Sequence, residues 1–184
     1  MSDPFHIRPA SLRDLSSVTQ LFRQSYPRLL PQDYDPGVLR DALPMITTAQ
    51  PALLACGTYF VAEADGEIIG AGGWTDLSPT RGVYGIDEGH VRHVATHPEW
   101  LRRGVARALI AAALDSARAH GMRRMHCMST RTARAFYAAM GFQERGEIEL
   151  MLAPGVYFPA VQMVWDGLPL PDDLRHPAVA SDAV

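Results

Sequence analysis

A chain of 184 residues with a net charge of −3 is one domain by length and long enough to bury a full core. Its apolar share of 47% and charged share of 20% are those of a globular protein, and the mild negative balance supplies no field that favours nucleic acid or an anionic membrane. The two cysteines, Cys56 and Cys127, have neither CxxC nor zinc-finger spacing, so buried, reduced thiols in a cytoplasmic protein are expected. Met1–His6 does not read as a signal peptide, and no apolar run reaches membrane-spanning length.

Phe5–Pro9 alternates and ends on proline, which predicts an edge strand. Ser11 and Asp14 give a Ser-x-x-Asp start to a helix whose apolar face is Leu12, Leu15, Val18, Leu21 and Phe22. Tyr26-Pro27 is expected to end that helix, with a loop from Leu29 to Tyr34. Pro36 opens a second helix at its first turn, Pro44 should kink or break it, and a further helical piece reaches Ala55. Gly57–Glu63 is aromatic and β-branched, Asp65-Gly66 is a hairpin turn, and Glu67–Trp74 is the return strand. Gly70, Gly72 and Gly73 in that strand mark either a close approach by something else or plain tight packing. Thr75–Gly85 is a polar loop, read equally well as a substrate loop or as ordinary surface.

A strand from Glu88 to Thr96 and a helix from about Arg103 to His120 follow, the helix burying Val105, Leu109, Ala112, Ala113 and Ala117 and closed by Gly121. Arg124–Met128 is a short strand with Met125 and Cys127 on one face. Thr130–Met140 is a helix ended by Gly141, and Phe142–Leu152 is a strand turning Ile148, Leu150 and Leu152 inward. Pro154-Gly155 turns the chain into a last strand, Ala160–Trp165, and Pro169–Val184 is a loose tail. The order of elements is that of an α/β mixed sheet with at least one parallel crossover.

The His90–Leu109 stretch carries the chemistry. A strand passes through the arginine-rich turn Leu101-Arg102-Arg103-Gly104-Val105-Ala106 into a helix. The first N–H groups of a helix lack intrahelical partners and the helix dipole adds positive charge there, so the turn is an anion site suited to phosphate. Gly104 lets the backbone come close and small Ala106 keeps the approach open. The chain has no GxxxxGK[ST] and no GxGxxG after a strand.

This turn resembles the acyl-CoA-binding motif of the GNAT acetyltransferase superfamily, Gln/Arg-x-x-Gly-x-Gly/Ala, matching at Gly104 and Ala106 and departing at Leu101. Ala133–Phe142 is similar to the family's Ala-x-x-Phe-Tyr-x-x-x-Gly-Phe, with Thr130 where Asn is common. The segments Gly57–Glu63 and Gly70–Trp74 also resemble a bacterial subgroup of unassigned substrate. The resemblance covers roughly residues 5 to 166 and implies a domain over 1–168 with a tail from 169. The fold it implies is a mixed, mostly antiparallel sheet of about seven strands with a central parallel, splayed pair and about four helices.

The resemblance also implies a function: transfer of an acetyl group from acetyl-CoA, as cosubstrate, to an amine acceptor within a ternary complex. The acceptor is a small molecule or a peptide; no metal, nucleic acid or membrane takes part, and a homodimer is expected because family members often dimerise. The pyrophosphate would lie against Arg102, Arg103, Gly104, Val105, Ala106 and Arg107, the pantetheine arm against Val94, Ala95 and Thr96, with Thr130 and Arg134 as further contacts. A main-chain N–H at a bulge near Val94 would meet the thioester oxygen, and Tyr137 would be the general acid at the CoA sulfur. Glu88 and His90 are the candidate bases, sharing one strand face with Arg92, while deprotonation by water is the alternative. His93 is expected on the face opposite His90, and with His97 is assigned a structural role. The rival reading is a non-catalytic acyl-CoA-binding sensor of the same fold.

Overall fold

At one edge of a seven-stranded sheet lies β1 (His6–Pro9), paired with β2 (Tyr59–Ala64). The remaining strands are β3 (Glu67–Thr75), β4 (Glu88–Thr96), β5 (Arg124–Ser129), β6 (Gln143–Ala153) and β7 (Val156–Asp166), in the spatial order β1-β2-β3-β4-β5-β7-β6. Among the described residues only β4 and β5 run parallel; every other pair is antiparallel. The helices are α1 (Leu15–Leu29), α2 (Pro36–Ile46), the single turn α3 (Pro51–Leu54), α4 (Val105–Ala119) and α5 (Arg134–Ala139). This computed structural model describes residues 4–79 and 85–166; the tail from Pro169 and residues 80–84 of the Thr75–Gly85 loop lie outside the described residues. Among the described residues no helix is long and apolar enough to cross a membrane.

The helices cover both faces of the sheet, so β2 to β5 are buried on both sides. Val18, Leu21 and Phe22 of α1 pack on Tyr59, Val61, Ala71 and Ala95. On the other face Ile110, Ala113, Leu114 and Ala117 of α4 join Trp74, Val91, Met125 and Cys127, and α5 adds Tyr137. Ile110 and Leu114 belong to the buried stripe of α4, whereas Ala112 is only half-buried.

Three local readings are corrected. Helix α1 runs through Pro27 to Leu29, and the Leu30 amide bonds the Tyr26 carbonyl beyond it. One missing ladder bond is offset by burial of Leu30. Helix α2 stops at Ile46, two residues after Pro44, where Leu43 O accepts both the amide and the hydroxyl of Thr47, and the separate piece α3 follows as expected. Residues 130–133 form a turn closed by Thr130 Oγ1, which accepts the Ala133 amide at 3.1 Å, so α5 begins only at Arg134. Cys56 is exposed, beside the Thr58 hydroxyl at 3.3 Å; only Cys127 is buried.

The start of α1 is built as expected. Asp14 accepts the Ser11 amide at 2.8 Å and a two-pronged contact from Arg8. The guanidinium beside it holds the Asp14 carboxyl below the usual carboxylate range. In β3 tight packing accounts for the glycines: a Cβ on Gly70 would stand 2.5 Å from Val105 Cγ1, and one on Gly73 would stand 2.4 Å from the Thr58 carbonyl and 2.5 Å from Tyr59 Cα. The obstacle at Gly73 is backbone and cannot rotate away. Gly73→Ala is therefore expected to destabilise the fold by about 1–3 kcal/mol, read as a lower denaturant midpoint at unchanged slope.

Candidate active site

Strands β4 and β5 pair over three residues only, Glu88–His90 against Arg124–His126. Beyond them a cleft of about 1410 Å³ opens, walled by Val91–Thr96 of β4 and Cys127–Ser129 of β5. At one end the cleft reaches the turn before α4, where Arg102, Gly104, Val105, Ala106 and Arg107 line it. The opposite wall comes from Ser25, Tyr26, Leu29 and Leu30 of α1 and its following turn, and from Leu150, Leu152 and Phe158 of the β6–β7 hairpin.

The turn is shaped for an anion. Arg102 and Gly104 both have left-handed backbones, φ 60° and 84°, and Gly104 caps α4. Alternating backbone hands turn consecutive N–H groups toward one point, and the start of α4 adds its dipole. A Cβ on Gly104 would meet nothing within 4 Å, so the space in front of those amides is open. Arg103 turns away from the cleft: its guanidinium lies 5.1 Å from the Trp100 ring centre, and with Arg107 it lines a neighbouring groove beside Phe5–Ile7.

The bulge in β4 is at His93. Gly73 pairs with Arg92 and Ala71 with Ala95, so His93 and Val94 together face Gly72. His93 has φ 39°, and the Tyr59 hydroxyl donates to its carbonyl at 2.6 Å, holding the extra residue in place. The bulge shifts the alternation by one residue. His93 therefore stacks on Phe22 of α1, on the face that also carries His90 and Arg92, instead of the opposite face expected from strict period two.

Tyr137 is buried in the cleft wall, in edge contact with Phe142 and hydrogen-bonded to Cys127. Burial pushes its phenol well above the ordinary value of 10 and pushes the Cys127 thiol up to about 12. Both groups stay protonated at neutral pH.

Glu88 and His90 are not brought to the cleft. Glu88 is held by Arg124 at 3.1 Å and by His126 Nε2 at 2.9 Å. Burial opposes its ionisation, but His126, the Gly85 amide and Arg124 outweigh it and hold the carboxyl below its usual range. His90 stacks on His126 with ring centres 5.2 Å apart, and burial with the nearby His126 and Arg92 charges pulls it down to about 4. It is neutral at pH 7 and a weak base. Arg134 also points elsewhere, to Glu144 at 2.8 Å, while Thr130 lines the cleft. Among the described residues no three His, Cys, Asp or Glu side chains gather to hold a metal ion.

Sequence reasoning missed the α1 and hairpin walls. Nothing local marks Tyr26, Leu29 or Leu150 as cleft residues, since their meeting depends on the β7-β6 inversion at the sheet edge.

A mixed sheet splayed at its parallel pair, with the arginine-rich turn at the cleft's end, is the architecture of the GNAT acetyltransferases. Residues 15–142 match the acetyltransferase (GNAT) family, and the chain belongs to it. No curated protein matches the chain. Among solved structures it is similar to a GCN5-related N-acetyltransferase from Rhodopseudomonas palustris, at 21% identity over 90% of this chain and 97% of that one, with a TM-score of 0.72. It is also similar to the PaiA N-acetyltransferase of Thermoplasma acidophilum in complex with coenzyme A, at 15% identity over 91% and 100% of the two chains, with a TM-score of 0.68. Ard1 of Thermoplasma volcanium gives 18% identity over 88% and 96%, with a TM-score of 0.59. At these identities the likeness establishes the fold.

Proposed function

We propose that the protein transfers an acetyl group from acetyl-CoA directly to an amine bound in the same cleft. The observation that carries this reading is the cleft itself, which joins an anion-binding turn, a strand bulge and a buried phenol along one continuous wall. The pyrophosphate binds the amides from Arg102 to Ala106, with Arg107 adding charge. The pantetheine arm pairs along Val94–Thr96 as an added strand. The Val94 amide, turned out by the bulge, donates to the thioester oxygen as charge develops there. Tyr137 protonates the departing thiolate. Water takes the acceptor's proton, since Glu88 is committed to ion pairs and His90 stands outside the cleft. No nucleophilic side chain is required, in keeping with the raised, inert Cys127 thiol.

The first test is ligand linkage. Acetyl-CoA at a hundred times its Kd should stabilise the fold by about 2.7 kcal/mol, a rise in Tm of roughly 5–10 °C for a domain of this size. An unchanged Tm at millimolar acetyl-CoA and CoA overturns the reading. An acceptor panel followed by free-thiol release then separates the enzyme from a non-catalytic sensor, which would bind acetyl-CoA and release no thiol.

A further inference from the structure

On the acceptor side of the cleft one arginine forms no ion pair among the described residues. Arg92 is half-buried on β4, immediately before the His93 bulge, and lines the cleft. Its Nη1 donates to Thr75 Oγ1 at 3.1 Å, and that hydroxyl donates in turn to the Leu77 carbonyl at 2.9 Å. Among the described residues this is its only hydrogen bond, and no Asp or Glu pairs with it. The ion-paired arginines, such as Arg8, Arg124 and Arg131, each have an Asp or Glu within 3.2 Å. The arginines of the turn, Arg102 and Arg103, are exposed and solvated.

A guanidinium withdrawn from water without a counter-charge is costly, and the neutral His93 beside it offers no relief. Thr75 fixes one Nη and leaves the Nε/Nη2 edge available, the planar pair of donors that fits a carboxylate. Arg92 and Val94 flank the His93 bulge on β4, and both line the cleft. An anion on Arg92 and an amine attacking beside Val94 therefore belong to one bound acceptor. The same wall carries Leu29, Leu30, Leu150 and Leu152, with Ser25, Gln32 and Glu149 between them.

The geometry points to Arg92 as the specificity residue of an acceptor subsite that takes the carboxylate of a small amino acid with an apolar side chain. This rests on the acetyltransfer reading and narrows its acceptor.

The test uses matched acceptors: L-leucine and L-phenylalanine, their amides, and the corresponding amines lacking the carboxyl group. With the wild-type protein the carboxylates are expected to have kcat/KM about 10²-fold above the amides and amines, because a buried charged group left without its partner penalises the wrong substrate. Arg92→Gln should collapse that ratio to within about threefold, chiefly by raising KM for the carboxylates, and Arg92→Lys should recover part of it. The acetyl-CoA-induced rise in Tm should be the same in all three proteins.

Equal or better turnover of the amides by wild type overturns the inference. So does an Arg92→Gln protein that keeps its preference, or one that loses the acetyl-CoA response. If acetyl-CoA raises Tm and none of the panel is acetylated, the carboxylate subsite is wrong while the CoA reading stands. If acetyl-CoA leaves Tm unchanged, the functional reading itself has failed.

Discussion

Gly104→Val should abolish the rise in Tm that acetyl-CoA produces, while Arg102→Ala should only diminish it. Gly104 sits at φ 84°, a conformation that a β-branched residue adopts at a strain of about 1–3 kcal/mol. Its missing Cβ points into open space, so the new side chain strikes no core atom. It stands instead where a pyrophosphate would come against the amides at the start of α4. The expected loss of affinity is at least a hundredfold, about 2.7 kcal/mol. Arg102 supplies one screened surface charge, and its removal is worth about 1 kcal/mol. The apo Tm of Gly104→Val reports the strain separately from ligand binding, and Gly104→Ala, with a smaller side chain at the same φ, should fall between. A normal acetyl-CoA response in Gly104→Val would show that the anion does not bind at this turn.

The turn was legible because its signal is local. A strand, a glycine and a helix start occupy consecutive residues, and β4 spans the expected Glu88–Thr96. Hairpin β2–β3 was legible for the same reason, with Asp65 and Gly66 at φ 50° and 80° forming its turn. The bulge was harder. Its placement near Val94 came from the family resemblance, and no residue type in Arg92-His93-Val94 marks it. What fixes it is the hydroxyl of Tyr59, 34 positions earlier in the chain, bonded to the His93 carbonyl. Once the bulge is missed, alternation sends His93 to the wrong face. The surroundings of the candidate bases were also hidden from the sequence. Glu88 and His90 face the correct side of β4, but their partners Arg124 and His126 arrive on β5, which still pairs with β4 at that point. The cleft opens only after His90. Pro27 misleads for a different reason: local propensity predicts a break, and burial of Leu30 outweighs it.

Tyr137→Phe is expected to reduce kcat and kcat/KM together by about 10²–10⁴, the usual worth of a general acid, and to leave acetyl-CoA binding nearly unchanged. The ring keeps its edge contacts with Phe136 and Phe142, so packing is preserved. What is lost is the hydroxyl and its hydrogen bond to Cys127, a stability cost of about 1 kcal/mol. The pH dependence has a definite sign. Burial raises the phenol well above 10, so the acid form persists through neutral and mildly alkaline pH, and the rate should not decline between pH 7 and pH 9 through loss of this proton. A raised pKa also makes the phenol a weaker acid than it is in water. If Tyr137 serves packing alone, the Phe variant keeps near-normal turnover and shows only the small stability loss. Turnover within about threefold of wild type, far below the range for a lost general acid, in a folded variant that still responds to acetyl-CoA, rejects the acid assignment. Protonation of the thiolate would then fall to water, and the Cys127 contact would be the whole reason for the hydroxyl.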